Sequence, residues 1–170
     1  KRIEIINEFN SKFSSIYESI SGINGVKIFY QSTVSVHTEE ELLNVLESKK
    51  EQEIKMGISL IGPHRDKIIF VKDGVPFDKC SSNGQKRLIS LVLRILQAKF
   101  YSEKLKSSPI ILMDDVMLEL DSEKRQKFMS LLPSYRQLFC TFLQGESFDN
   151  YKSSDTKIFF VNAGELNERN

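Results

Sequence analysis

The residues with the clearest chemical potential stand at the head of a long helical pattern. Ser82 and Gln85 have the spacing of a capping box, in which each side chain pairs with a backbone amide of the other residue. Gly84 leaves room for close backbone approach, and the start of a helix attracts anions. The run Ser82-Asn83-Gly84-Gln85 is therefore either an anion site or a helix cap without a ligand, and the spacing leaves both open.

Two adjacent carboxylates, Asp114 and Asp115, follow the apolar run Ile110–Met113. A continuous apolar run is typical of a strand that is buried on both faces, and open α/β sheets bind ligands at the carboxyl ends of their strands. We expect Asp114 to hold Mg²⁺, directly or through water, and Asp115 to orient or deprotonate an attacking water. The alternative is a polar strand end with solvated aspartates.

A third acidic residue, Asp121, lies directly before a predicted helix over residues 122–132. By itself it is equally well explained as the cap of that helix. The order of the features is more specific than any one of them. A helix start suited to anions, a long helix, a strand ending in two carboxylates and a short loop ending in aspartate follow one another.

Hydrophobic spacing predicts the elements that position these residues. Helices are predicted over 3–21, 39–54, 85–105 and 122–132. The second of these begins with a Thr38–Glu41 capping box. Strands are predicted within 26–36 and over 58–61, 67–72, 110–113, 138–143 and 157–162, with a hairpin turn at Asp73-Gly74. Alternation of helices and strands from residue 85 onward favours an α/β sheet.

The composition is that of a soluble globular protein, with 170 residues, 40% of them hydrophobic and 28% charged, and a net charge of +1. This balance does not by itself indicate nucleic acid, although a neutral protein can carry a basic patch. The helix from residue 85 carries such a patch, which is either a DNA surface or an ordinary solvated face: Lys86, Arg87, Arg94 and Lys99. No apolar run approaches the ~20 residues of a membrane span, so we expect no membrane partner.

The ordered set of motifs resembles the second half of an ABC-type ATPase head. In that superfamily Ser82 to Gln85 corresponds to the signature motif, Asp114-Asp115 to Walker B, and Leu118 to Asp121 to the D-loop. Within it the chain resembles the RecF family, since Gly62 to Asp66 matches the family's GPHRD segment. The Asp73-Gly74 hairpin and the Asp-Asp form of Walker B are also similar to that family.

The resemblance implies an α/β fold in two parts. Residues 56–170 would form the carboxyl-terminal part of an ABC-type ATPase head, a mixed sheet with flanking helices, and residues 1–55 would form part of a helical arm domain. The sequence begins with Lys1 and contains no GxxxxGK[ST] phosphate loop. In the family that loop precedes the arm, so we expect a piece of a longer protein that does not bind ATP tightly or hydrolyse it alone.

The function that the resemblance implies is recombinational DNA repair in the cytoplasm, including replication and the SOS response. RecF-like proteins bind ATP and DNA, dimerise on ATP, work with RecR and RecO, and help load recombinase at gapped DNA. Carried onto this chain, Ser82 and Gly84, with their neighbours Asn83 and Gln85, would contact the γ-phosphate held by the opposite subunit. Asp114 would serve Mg²⁺, Asp115 would position the hydrolytic water, and Asp121 would help communication across the dimer.

Some positions depart from the pattern of the superfamily. Ser81 stands where leucine is usual and Asn83 where arginine or glycine is common. No histidine follows the strand predicted at 138–143, where many ABC ATPases have a switch histidine, so Thr141 or Gln144 would have to substitute. We therefore expect slow hydrolysis. The alternatives are an ABC-framework module that binds DNA or a partner without significant ATPase activity, or an SMC-like head.

Overall fold

This computed structural model of the protein describes residues 1–36, 38–116, 120–143, 145 and 148–169. The helices are α1 (Arg2–Ser21), α2 (Glu39–Met56), α3 (Asn83–Leu105) and α4 (Ser122–Ser130). The strands are β1 (Lys27–Gln31), β2 (Lys67–Lys72), β3 (Val75–Pro76), β4 (Ile110–Met113), β5 (Gln137–Cys140), β6 (Ile158–Asn162) and β7 (Glu165–Arg169). The predicted α/β class is confirmed.

The described strands are divided among three small sheets. β1, β2 and β3 form an antiparallel sheet in which Ile28 pairs with Phe70. β4 and β5 form a parallel pair in which Met113 lies opposite Cys140, and β6 and β7 form an antiparallel hairpin. The parallel pair positions the acidic residues, because the polypeptide leaves both of its strands at the same edge.

The hydrophobic core lies between α1 and α3. Both helices bury apolar residues at three- and four-residue intervals, the spacing that places side chains on one helical face. The buried residues of the two helices are Phe13, Ile16, Tyr17, Ile20, Leu88, Ile89, Val92, Ile95 and Leu96. Val26, Ile28, Phe77, Met113, Leu120 and Phe128 complete the same cluster, so helices and strands share one core.

Residues from both parts of the predicted division contribute to this core. α1 and β1 fall within residues 1–55, whereas α3 and β4 fall within residues 56–170. The assignment of the first part to an arm domain and of the second to an ATPase head stays a prediction. No helix among the described residues is long and apolar enough to cross a membrane.

Local signals in the sequence account well for where several elements begin and turn. The Thr38–Glu41 capping box is present, with the Glu41 amide donating to the Thr38 hydroxyl at 3.2 Å. The hairpin between β2 and β3 turns at Asp73 and Gly74, which have φ angles of 51° and 79°. Positive φ at both positions is what a tight hairpin turn requires.

The prediction of a strand at residues 58–61 is wrong. This segment is irregular because its backbone amides donate to a carboxylate instead of a neighbouring strand. The amides of Leu60 and Ile61 donate to Glu53 of α2, at 2.7 and 3.4 Å. These hydrogen bonds hold the pKa of the Glu53 carboxyl below its ordinary value, the bond from Leu60 contributing most.

The expectation that β4 is buried on both faces is also wrong for the chain described. Met113 is 5% exposed, but Ile110 and Leu112, on the opposite face, are 58% and 73% exposed. Side chains alternate between the two faces of a strand, so only one face of β4 enters the core. The predicted strand at 138–143 ends at Cys140, and residues 32–36 are not in a strand.

The segment from Gly62 to Asp66 forms a turn that is fixed by a mostly buried carboxylate. The Asp66 carboxylate accepts hydrogen bonds from the Tyr30 hydroxyl and from the Thr33 amide and hydroxyl, the latter two at 2.8 and 3.0 Å. These donors, Tyr30 first, lower the pKa of Asp66 from 3.8 to about 2. The carboxylate therefore ties the end of β1 to the start of β2.

The lowered pKa predicts a loss of stability in acid. A carboxyl group whose pKa is lower in the folded state stabilises the fold above its unfolded-state pKa, and that contribution is lost as the pH falls. For Asp66 the loss falls between about pH 4 and pH 2. We expect Asp66→Asn to flatten the pH dependence of the free energy of unfolding in this window, measured by chemical denaturation at several pH values.

The matched control is Asp155→Asn, since the exposed carboxylate of Asp155 accepts one hydrogen bond, from neighbouring Ser154. This variant should keep the wild-type pH dependence. An equal flattening in both variants would contradict the role given to Asp66.

Candidate functional site

The start of α3 has the capping box that the sequence predicts. The Gln85 amide donates to the Ser82 hydroxyl at 3.2 Å, and the Ser82 amide donates to the Gln85 side chain at 2.8 Å. The buried ring of Tyr17 lies beneath this turn, and its hydroxyl donates to the Gln85 carbonyl at 3.3 Å. Burial raises the pKa of Tyr17 to about 12, so the hydroxyl stays protonated and keeps its role as donor. The core therefore holds the start of α3 in place.

Gly84 lies exposed in the first turn of α3, and none of the described residues requires a glycine there. A Cβ atom added there would meet only the Ser82 hydroxyl, at 3.9 Å, which is an ordinary contact. Its φ angle is not in the left-handed region that favours glycine. Glycine in the middle of a helix costs about 0.5–1 kcal/mol relative to alanine, and this is an upper bound for Gly84, the second residue of α3. The residue therefore weakens the helix without serving any contact that the described residues make.

Ser81 directly precedes the helix cap and stands where the proteins that this chain resembles usually have leucine. Its hydroxyl oxygen is buried and has no hydrogen-bond partner among the described residues. A buried hydroxyl without a partner costs about 1–3 kcal/mol.

The acidic pair at the end of β4 is held by Thr141, which directly follows β5. The Thr141 hydroxyl donates to the Asp114 carboxylate at 2.8 Å and accepts the Asp115 amide at 3.0 Å. Asp115 has a φ of 54°. Such a left-handed backbone is uncommon outside glycine, although aspartate adopts it more readily than most residues. The two carboxylates thus belong to one small hydrogen-bonded cluster at the edge of the β4–β5 pair.

The acidic pair fits a magnesium site that substrate phosphates would complete. Mg²⁺ is commonly bound through one or two carboxylates together with phosphate oxygens and waters. Asp114 and Asp115 are exposed, and the second oxygen of Asp114 is not engaged by Thr141. No cluster of three metal-ligating side chains occurs in the part of the chain that the structure describes. The donor set therefore suits Mg²⁺ bound with a phosphate ligand.

Asp121 caps α4. Its carboxylate accepts the Lys124 amide at 2.9 Å and forms an ion pair with the Lys124 ammonium group. These contacts, the side-chain one first, hold the pKa of the Asp121 carboxyl below its ordinary value. Leu118 and Glu119 of the predicted D-loop lie outside the described residues. The capping role of Asp121 is present, and its role in communication across a dimer stays a prediction.

The start of α3 and the end of β4 are separate places in the chain. α3 has 23 residues, so at ~1.5 Å per residue it is roughly 34 Å long. β4 follows α3 along the chain and has 4 residues. Among the described residues, no hydrogen bond or ion pair joins Ser82, Asn83, Gly84 or Gln85 to Asp114 or Asp115. The described residues therefore show no direct polar contact between the two predicted halves of a nucleotide site.

The basic residues of α3 lie on two different faces. Lys86, Arg87 and Arg94 are exposed, and the exposed ring of Tyr101 follows Arg94 by seven residues, on the same helical face. Lys99 instead lines a groove beside Lys12, with Leu132 and Pro133 at its other side. The one acid of α3, Glu103, pairs with Lys12 at 3.1 Å. The outward face of α3 therefore carries positive charge without an acidic neighbour on the helix.

Thr141 makes contacts that its sequence position does not predict. It was a candidate only as a weak substitute for a switch histidine, whereas the structure places it against both aspartates. The sequence signal for this role is the position of a hydroxyl-bearing residue. Thr141 directly follows β5, and β5 pairs with β4, the strand that ends at the acidic residues. Gln144, the other residue predicted as a substitute at that position, lies outside the described residues.

Comparison with known proteins gives one consistent family name. The chain is 43% identical over 167 residues to the DNA replication and repair protein RecF of Treponema pallidum, covering 98% of this chain and 47% of that protein. It is 30% identical over 169 residues to the RecF of Agathobacter rectalis, covering 98% of this chain and 45% of the relative. The match to the Treponema protein lies in its carboxyl-terminal part. No protein-family model matches the chain.

The fold agrees with these relatives. A solved structure described as the recombination mediator protein RecF with ATP, in the RecFOR pathway, superposes with a TM-score of 0.74 at 23% identity. That match covers 99% of this chain and 45% of the other. The chain spans about half the length of the curated relatives that it matches.

The capping box predicts a specific pattern of stability. Ser82→Ala removes the acceptor for the Gln85 amide and should lower the free energy of unfolding by about 1 kcal/mol. Ser82→Asn keeps an acceptor of equal capping preference and should change stability little. Chemical denaturation followed by circular dichroism measures both, and equal stabilities of the alanine and asparagine variants would contradict the cap.

Proposed function

Since this chain belongs to the RecF family over the portion that it covers, we propose that it is the carboxyl-terminal part of a DNA-repair protein that dimerises around ATP and hydrolyses it slowly. The family membership favours this function over an SMC-like head. The start of α3 would supply the signature side of the nucleotide site, and the end of β4 would supply the hydrolytic side. ATP and Mg²⁺ are the proposed cofactors of the complete protein.

The observation that carries the nucleotide proposal is Gly84. An exposed glycine in a helix, where an added Cβ would make an ordinary contact with the Ser82 hydroxyl, weakens the helix that contains it. Its cost is explained if a ligand from outside the chain must approach the helix backbone closely. The free amides at the start of a helix attract negative charge, and Ser82, Asn83 and Gln85 flank the same turn. A terminal phosphate held by a second copy fits this position.

The separation of the two motifs supports a site shared between two copies. Since no hydrogen bond or ion pair among the described residues joins the start of α3 to the acidic pair, we place the two at different nucleotides. Each nucleotide would then lie between the signature residues of one copy and the acidic residues of the other. ATP would join the copies, and hydrolysis would release them.

Asp114 and Asp115 would divide the work at the hydrolytic side. Asp114 would hold Mg²⁺, which neutralises developing charge on the phosphate oxygens. Asp115 would accept a hydrogen bond from the attacking water and orient it. The absence of a phosphate loop from this sequence leaves tight ATP binding to other parts of the complete protein. Asp121 would transmit the state of one site to the other.

DNA is the proposed macromolecular partner, and the outward face of α3 is its proposed surface. Lys86, Arg87 and Arg94 would neutralise phosphates, and Tyr101 adds an exposed ring that can stack on a base. A solved relative is described as a recombination mediator in the RecFOR pathway. We therefore propose RecR and RecO as protein partners. We propose that the complete protein acts in the cytoplasm, binds gapped DNA and helps load recombinase there.

The decisive test is ATP-dependent dimerisation of the complete protein, measured by sedimentation velocity with and without ATP and Mg²⁺. Gly84→Ala should keep the stability of the wild type or raise it by up to ~1 kcal/mol, yet weaken ATP-dependent dimerisation at least ~10-fold because its methyl group occupies the path of the phosphate. Asp115→Asn should dimerise on ATP but hydrolyse it at least ~100-fold more slowly.

Ser90→Ala is the control for Gly84, since Ser90 is an exposed small residue farther along α3. It should change neither dimerisation nor turnover. Normal dimerisation of Gly84→Ala would remove the main support for the nucleotide site. A wild-type protein that binds DNA equally with and without ATP, and never dimerises on it, would instead be a non-enzymatic DNA- or partner-binding module.

The two faces of α3 give a separate test of DNA binding. Arg94→Gln should weaken binding of the complete protein to gapped DNA and lower the salt dependence by about one phosphate contact. Lys99→Gln, which removes the same charge from the groove side of α3, should have little effect. Fluorescence anisotropy at several salt concentrations measures both, and a larger effect of Lys99→Gln would move the DNA surface to the groove beside Lys12.

A further inference from the structure

The two acidic residues at the end of β4 are not independent in this structure, because one hydroxyl group contacts both. We propose that Thr141 is the positioning residue of the hydrolytic site, acting through Asp114 and Asp115 without touching the nucleotide. This inference rests on the proposed function. It assigns to Thr141 the orientation of the Mg²⁺-binding carboxylate and of the backbone that carries the water-positioning one.

The hydrogen-bonding capacity of a threonine hydroxyl matches the two contacts. A hydroxyl has one hydrogen to donate and lone pairs with which to accept. The single hydrogen goes to the Asp114 carboxylate at 2.8 Å, and a lone pair accepts the Asp115 amide at 3.0 Å. The two contacts do not compete, and together they fix the rotation of the hydroxyl. A side chain that only donates or only accepts could not replace it.

The backbone of Thr141 is anchored to the strand whose carboxylates it holds. Its amide donates to the Met113 carbonyl at 3.1 Å, which extends the pairing of Met113 with Cys140 by one residue. Threonine is also branched at Cβ, which restricts its side-chain rotamers. The register of the β4–β5 pair therefore places the Thr141 hydroxyl next to the two aspartates.

The contact with Asp115 has a particular consequence because of the backbone conformation there. With a φ of 54°, Asp115 adopts a conformation that side-chain-bearing residues rarely take. The amide that Thr141 accepts belongs to this residue, so the hydroxyl helps to hold the unusual conformation. The direction of the Asp115 side chain follows from that backbone, and the hydroxyl thereby controls where the carboxylate points.

The hydrogen bond from Thr141 to Asp114 would affect how the Asp114 carboxylate binds Mg²⁺. Thr141 engages one carboxylate oxygen and leaves the other for a cation. Hydrogen bonds that orient a metal-binding side chain in this way are worth about 10–100-fold in metal affinity or activity when removed. A strand end that Thr141 merely stabilises would lose folding stability on mutation without changing the Mg²⁺ requirement. The two roles are therefore separable by experiment.

The test compares Thr141→Val with Thr141→Ser in the complete protein. Valine keeps the shape and branching of threonine but lacks the hydroxyl, whereas serine keeps the hydroxyl. Without nucleotide, hydrogen exchange of the Asp115 amide should be roughly 2- to 10-fold faster in the valine variant, the range expected for one net hydrogen bond. The Mg²⁺ concentration for half-maximal ATP turnover should rise about 10–100-fold.

The serine variant should match the wild type in both measurements, and both variants should still dimerise on ATP, because the start of α3 is unchanged. A valine variant with wild-type exchange and Mg²⁺ requirement would overturn the proposal, as would a serine variant as impaired as valine. Failure of the wild type to dimerise on ATP or to hydrolyse it would instead overturn the proposed function, and the exchange measurement would still decide whether the hydroxyl holds Asp115.

Discussion

The apolar face of α1 packs against that of α3, and the position of the helix start that carries the candidate anion site depends on this contact. Tyr17 lies where this contact reaches the start of α3, fully buried, with its ring stacked on Phe13 at 5.8 Å between centroids. The Tyr17 hydroxyl reaches the Gln85 carbonyl in the first turn of α3. Burying such large side chains provides much of the driving force for folding. It also fixes the helix start that carries Ser82 and Gly84.

Two ends of the candidate site are held by different physical means. At the start of α3, local pairing of Ser82 with Gln85 defines where the helix begins, and the core beneath sets its position. At the end of β4, pairing with β5 brings in Thr141, a residue 27 positions away from Asp114 in sequence. The first arrangement is encoded within four residues. The second exists only after two strands have paired in the correct register.

The structure also separates features that resemble each other in the sequence. Arg94 and Lys99 are both cations of α3, but one faces outward and the other lines a groove beside Lys12. Asp66 and Asp155 are both aspartates in irregular segments. The donors around Asp66, Tyr30 first, lower its pKa to about 2, although the exclusion of solvent from its carboxylate opposes that shift. Residue type alone does not distinguish the members of these pairs.

What the sequence by itself determined is local. Helical spacing placed α1 and α3, capping residues placed the starts of α2, α3 and α4, and Asp73-Gly74 placed the hairpin, because each signal acts between residues a few positions apart. The family resemblance likewise rested on short motifs in a fixed order. Only the tertiary structure decided that the amides of residues 60 and 61 donate to Glu53 instead of to a neighbouring strand. It also decided that one face of β4 is exposed and that Thr141 contacts both Asp114 and Asp115. These outcomes depend on which distant groups meet, and no spacing along the chain records that.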